Sequence, residues 1–267
     1  MATESVRFDR VAEFYDRTRG IDDAAMVRTV EVLSAELAGR GRILEVGVGT
    51  GLLALPLFRA GVHVQGLDLS APMLGKLIEK GGGGPRPPVV LGDATRMPFG
   101  DDAFGGAYLR WVLHLIPDWR GVLAEVVRVV ASRGVFLANL GAYGGPRRDI
   151  QERFGEITGV PIEPVGLSWG DVGSLDAEMA AHGASVRELP PVREGGEETV
   201  GEFLQEIRDN LFSWTWRIPD DLRLRTVEEL RPWAEQRFGP LDQVRRYEHA
   251  TVWRAYDLPW VSGDVGP

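Results

Sequence analysis

The 267-residue chain contains no cysteine. That absence removes disulfides, thiolate metal sites and a cysteine nucleophile together, and it fits a reducing compartment. Histidine is scarce as well, with four in all. No apolar run approaches the length of a membrane span, and Met1 to Arg10, carrying Glu4, Arg7, Asp9 and Arg10, has no apolar core of the signal-peptide kind. The expected location is cytoplasmic, with no membrane partner. A concentrated basic surface is missing too. The formal net charge is −9 and the only basic doublets noted are Arg147–Arg148 and Arg245–Arg246, which argues against nucleic acid as a partner. Hydrophobic residues at 44% and charged residues at 26% are ordinary globular usage, so neither disorder nor a fibrous class is suggested.

What is present is an alternation of strand and helix patterns. Apolar residues at helical spacing over 22–39 are followed by a strand at 42–47, a helix at about 50–60 and a strand at 62–67. Ser70 caps a helix running through Lys80; short strands follow at 89–91 and 104–109, then a helix at 118–131 and a strand at 134–140. This rhythm predicts an α/β fold with a parallel sheet and helices on both faces. After Leu140 the rhythm changes. Helices are expected at 147–157, 171–182, 198–211 and 220–238, the last kinked or split by Pro232, with strands at 184–192 and 243–256 and a loop at Arg193 to Gly196. The reading is one domain, 1–267, with a ligand-binding core at 22–141 and lid or substrate-side elements at 8–20, 142–170 and 196–240.

The most informative stretch is Ile43-Leu44-Glu45-Val46-Gly47-Val48-Gly49-Thr50-Gly51, a strand running into a glycine loop that opens a helix. Glycines there let a ligand approach bare backbone, and free N–H groups at such a turn attract electron-rich groups. Glu45 argues against a pyrophosphate ligand, because two anions about 4 Å apart repel by roughly 4 kcal/mol at an effective dielectric of 20. A ligand carrying positive charge suits it. Two more acids, Asp68 and Asp93, follow the second and third strands, and strand ends of a parallel sheet converge on one crevice.

This set resembles the class I S-adenosylmethionine (SAM) methyltransferases, specifically at Glu45 to Gly51, Leu67-Asp68-Leu69-Ser70, Gly92-Asp93-Ala94 with Met97-Pro98-Phe99, and Trp111 to Leu115. Phe8 to Arg19 is similar to the N-terminal helix of the branch that includes ubiquinone and menaquinone methyltransferases. The likeness covers about residues 8–141 and continues more weakly to 257. It implies a seven-stranded Rossmann-like sheet whose last strand is antiparallel and lies between the fifth and sixth. It also implies SAM as cofactor, held by Glu45, Gly47, Gly49 and Gly51, with Asp68 on the ribose hydroxyls and Leu69 beside it. Asp93 and Ala94 would meet the adenine, Met73 would pack near it, and Tyr15 and Arg19 would line the methionine end. Arg110, also counted in this set, departs from the family, which commonly uses a backbone carbonyl or a small polar side chain there.

The reaction so implied is direct in-line transfer of a methyl group to the O, N or C of a small organic molecule, without a metal. The missing cysteine disfavours thiol-dependent members. His114, just beyond the fourth strand, is the candidate general base, and Tyr15 a second candidate for acceptor orientation. Trp169, Phe203, Phe212, Trp214 and Trp216 form either an apolar pocket for an aromatic or apolar acceptor or the core that fastens the insertions down. Two other readings stand beside this one. A noncatalytic SAM-binding protein would share every binding feature. An NAD(P)-dependent oxidoreductase would use Gly49-Thr50-Gly51-Leu52-Leu53-Ala54 in the dinucleotide register, but lacks a hydride-transfer set such as Tyr-x-x-x-Lys.

Overall fold

The computed structural model describes residues 4–16, 21–141 and 144–260. The chain forms two compact units: residues 1–141, 165–194 and 250–267 make the first, and 142–164 with 195–249 the second.

The first unit is built on a seven-stranded sheet. Its elements are α1 (Asp23–Leu37), β1 (Arg42–Val46), α2 (Ala54–Arg59), β2 (His63–Asp68), α3 (Ala71–Gly81), β3 (Val89–Leu91), β4 (Phe104–Arg110), α4 (Trp119–Val129), β5 (Val130–Asn139), α6 (Val172–Ala181), β6 (Ser185–Glu188) and β9 (Arg254–Asp257). The strand order is β3-β2-β1-β4-β5-β9-β6, with β9 antiparallel to both neighbours, so the topology implied by the family resemblance is the one observed. Along each central strand successive residues enter opposite layers. Leu44, Val46, Ala107, Leu109, Phe136 and Ala138 pack into one, and Ile43, Val64, Tyr108, Val135 and Leu137 into the other. Burial on both faces is why these strands read as near-continuous apolar runs.

Local signals set the boundaries. The Ser70 hydroxyl accepts from the Met73 N–H at 3.3 Å and starts α3, a cap worth about 1 kcal/mol. The helix predicted over 118–131 stops at Val129, because Val130 already pairs with Phe104 as the first residue of β5. The strand predicted over 184–192 ends at Glu188; Pro190 and Pro191 cannot donate to a ladder and break it. The predicted loop at 193–196 is instead part of β7 (Val192–Glu198), which pairs with β8 (Arg245–Thr251). The single strand predicted over 243–256 is therefore two, β8 and β9.

The second unit holds α5 (Gly145–Thr158), α7 (Val200–Arg208) and α8 (Asp220–Phe238). Thr199 and Glu202 form a reciprocal capping box at the start of α7. Pro232 does not split α8. Val227, Leu230 and Ala234 on either side of it are fully buried with Ile150, Phe154 and Phe203, and that packing holds the helix together across the missing N–H.

Candidate functional site

The connection from β3 to β4 crosses from one side of β1 to the other. At that switch point the carboxyl ends of the strands leave a crevice, the usual ligand position in a doubly wound sheet. Gly47 and Gly49 after β1, Asp68 at the end of β2 and Leu69 after it, Asp93 and Ala94 after β3, Met73 on α3 and Arg110 at the end of β4 all line it, as does Tyr15 from the N-terminal segment. Nine of the sequence-derived site residues thus meet at one place.

The glycine loop is shaped by necessity. Gly47 has φ +73°, and a Cβ there would sit 2.5 Å from Val112 Cγ2, so any side chain would both strain the backbone and displace the crevice wall. The loop amides, however, are not free as expected from the sequence. Gly47 and Val48 N–H donate to the Leu67 carbonyl, Gly51 N–H to the Val48 carbonyl, and Gly49 N–H to Asp68 Oδ2 at 2.7 Å. An anionic phosphate at this loop would find those donors already used and a carboxylate beside them. The donors of Gly47 to Gly49 are therefore not open to a phosphate, and a ligand with a positive centre and hydroxyl groups suits the carboxylate beside them.

Asp68 is anchored from both sides, since its Oδ1 accepts from Ser70 N–H at 2.9 Å. Burial raises its pKa above the usual carboxylate value, against the opposing pull of the Ser70, Gly49 and Leu69 amides. Each carboxylate oxygen accepts more than one hydrogen bond, so capacity remains for ligand hydroxyls. Asp93 is fixed similarly, with Oδ1 accepting from the Thr95 N–H at 2.9 Å and hydroxyl at 2.8 Å.

Several expected residues lie elsewhere. Glu45 is 4% exposed and does not line the crevice; Oε2 accepts from the Tyr108 hydroxyl at 2.7 Å. Burial, joined by repulsion from Asp68, pushes its pKa up to about 8, against the Tyr108 hydrogen bond and the attraction of Arg110. Gly51 packs against Leu77 and Leu55, a helix-docking role. His114 sits in the 3-10 turn Leu113–Leu115 with its ring 6.4 Å from that of Trp169, outside the crevice wall. Arg19 lies outside the described residues. Of the aromatic set, Phe203 and Phe212 are fully buried, and the Phe212 and Trp214 rings stack at 5.8 Å. For these two phenylalanines the core alternative is the observed one. Among the described residues, no group of three or more His, Asp or Glu side chains is placed to hold a metal ion.

The N-terminal segment closes part of the crevice. Val6 N–H donates to the Leu115 carbonyl at 3.0 Å, Glu13 pairs with Lys76 at 2.7 Å, and Asp16 pairs with Lys80 at 2.5 Å and accepts from the Thr50 hydroxyl. Trp111, part of the family-like stretch 111–115, was given no site role from the sequence. It follows β4 with φ +58°, a conformation that costs a bulky residue of order 1–3 kcal/mol unless its surroundings hold it there. Trp111 N–H donates to the Asn139 carbonyl and its indole Nε1–H to Asn139 Oδ1, both at 3.0 Å. Asn139 in turn donates to the Val252 carbonyl at 3.1 Å. The Arg110 guanidinium lies over the Trp111 ring, 4.1 Å from its centroid.

Residues 44–138 match the family described as "Methyltransferase domain". The chain is 35% identical over 135 residues, 49% of its length and 54% of the relative's, to a demethylmenaquinone methyltransferase of Clavibacter sepedonicus. It is 29% identical over 168 residues to a phosphatidylethanolamine N-methyltransferase of Cereibacter sphaeroides, covering 61% of this chain and 79% of that one. The chain thus spans about half the length of the demethylmenaquinone methyltransferases it matches, 54% in the Clavibacter case. Among solved structures, the YcgJ protein of a Bacillus shares the fold with a TM-score of 0.60 at 19% identity, over 89% of this chain and 99% of that one.

Proposed function

We propose, from the match of residues 44–138 to the methyltransferase-domain family, that the protein transfers a methyl group from SAM to a small organic acceptor. The observation that carries the reading is the crevice at the β1/β4 switch point, where Asp68 and Asp93 stand beside a glycine loop whose Gly47, Val48, Gly49 and Gly51 amides are already spent. In this reading Asp68 accepts from the ribose hydroxyls in charge-assisted hydrogen bonds. Asp93 accepts from the adenine amino group, with Leu69, Met73 and Ala94 against the ring. Tyr15 attends the methionine end.

SAM supplies a methyl group already activated on a sulfonium. The chain's task is then to hold the acceptor in line and close to that methyl, an effect that can supply roughly 7–11 kcal/mol. The N-terminal segment, pinned by Val6, Glu13 and Asp16, excludes water from the crevice while this happens. An aromatic or apolar acceptor fits the wall formed by Phe8, Trp111, Val112, Leu115 and Ile116. No described helix is long and apolar enough to cross a membrane.

The test is incubation with SAM labelled in its methyl group, followed by mass analysis of a panel of phenols, carboxylic acids, amines and quinols. A labelled product formed only with active protein supports the reading. Stoichiometric SAM binding without transfer to any of them would instead favour a protein that binds SAM without using it.

A further inference from the structure

Among the described residues four that are not glycine have positive φ: Asp102, Trp111, Arg133 and Asn210. Asp and Asn tolerate that conformation, and Arg133 is exposed. Trp111 is the bulky aromatic of the four and the one that lines the crevice. Strain of this kind persists only where the surroundings over-determine it. Here the Asn139 carbonyl accepts from the Trp111 N–H and Asn139 Oδ1 from the indole Nε1–H, both at 3.0 Å. Asn139 is itself 4% exposed and tied to the Val252 carbonyl. Gly141 lies so close to the indole that a Cβ would come within 2.4 Å of Nε1. The Arg110 guanidinium, whose charge is met by Glu194, covers the ring 4.1 Å from its centroid. A ring that merely filled the wall could do so from an ordinary backbone conformation.

Resting on the methyltransferase reading, we propose that Trp111 is the specificity-determining residue for the acceptor: a fixed flat platform that takes a planar conjugated ring and discriminates against a saturated ring of the same outline. Asn139 and Gly141 occupy the nitrogen end of the indole, so its benzo end is the part left to a ligand. Because the indole is already immobilised, stacking on it costs little further ordering. Val112, Leu115 and Ile116 beside it add apolar burial, which does not distinguish a flat ring from a puckered one. The guanidinium over Trp111 draws on its π density, which favours a ring over a second cation as its partner. Asn139, which holds the indole without lining the crevice, is the positioning residue.

The probes are 2-naphthol and decahydro-2-naphthol, titrated by calorimetry into protein loaded with S-adenosylhomocysteine. The saturated alcohol is the more apolar, so a wall acting by burial alone would bind it more tightly. The wild type should instead prefer 2-naphthol by about 3-fold or more, the scale of an aromatic pair. Trp111→Gly, which adopts φ +58° without strain, should reverse that order while S-adenosylhomocysteine affinity stays within about 2-fold. Asn139→Leu should remove most of the preference in the wild type and none further in the Trp111→Gly background. Equal binding of the two alcohols by the wild type, tighter binding of the saturated one, binding of neither, or a preference that survives Trp111→Gly would overturn the proposal. So would a loss of S-adenosylhomocysteine affinity in Trp111→Gly, which would assign the ring to the cofactor. Wild-type protein that binds no S-adenosylhomocysteine would remove the methyltransferase reading itself; normal cofactor binding without the planar preference removes this inference alone.

Discussion

The β2/β3 side and the β4 side of the crevice are built differently. On the first, carboxylates are fixed by the backbone, with Asp68 held by the Gly49 and Ser70 amides and Asp93 by Thr95. On the second, side chains fix one another, Arg110 on Trp111 and Trp111 on Asn139. In the proposed reading the backbone-held side takes the cofactor. The side held by side chains can change its surface by changing a few residues, and in the proposed reading it takes the acceptor.

The contrast can be broken at the hinge of both sides. Gly47→Val places a branched side chain at φ +73° and within 2.5 Å of Val112; it should weaken S-adenosylhomocysteine binding by about 100-fold or more and destabilise the fold by about 1–3 kcal/mol, read by calorimetry and thermal melting. Asp68→Ala acts on the backbone-held side alone. A loss of about 1.5–3 kcal/mol, or roughly 10- to 150-fold in cofactor affinity, is the expected result, and unchanged affinity would show that Asp68 serves only the loop.

Glu45 gives a pH signature behind the crevice. Its pKa is raised to about 8 from an ordinary value of 4.5, chiefly by burial, so between those values the folded state holds a proton that the unfolded chain has lost. Stability from this group is fully present below pH 4.5 and is lost as pH rises through about 8. Wild-type melting temperature should therefore fall from pH 6 to 9 more steeply than that of Glu45→Gln, by about 2–4 °C for each kcal/mol involved. Parallel curves would mean that Glu45 is not titrating there. Asp68, also raised by burial, has the same sign and remains in both proteins. The smallest effect is expected from His114→Ala. Its ring lies outside the crevice wall, so turnover should stay within about 3-fold, whereas loss of a general base costs about 100-fold or more.

The β2/β3 side was legible because its signals are local. A strand, a tight turn and an acid within a few residues define Gly47, Asp68 and Asp93, and the strands carrying them are buried on both faces. The β4 side depends on pairings that no short window contains. Glu45 was expected at the ligand from the family resemblance and its place just before the glycine loop, yet two-residue alternation places it on the face of Ile43, in register with Tyr108. A register estimate for β1 against β4 would have found that pair. Trp111 and Asn139 come together only because β4 and β5 pair through Arg110 and Asn139, and nothing in the sequence near Trp111 announces a positive φ. The β7/β8 pairing was hidden for another reason: Arg193 to Gly196 carries two glycines and two charges, which read as a loop until a partner strand supplies the ladder.

The most direct test of the central claim is titration of the wild-type protein and Asp68→Ala with S-adenosylhomocysteine, using NADH in parallel. The account predicts micromolar binding of S-adenosylhomocysteine to the wild type, roughly 10- to 150-fold weaker binding to Asp68→Ala, and no heat from NADH. Binding of NADH, or no binding of S-adenosylhomocysteine, would contradict it.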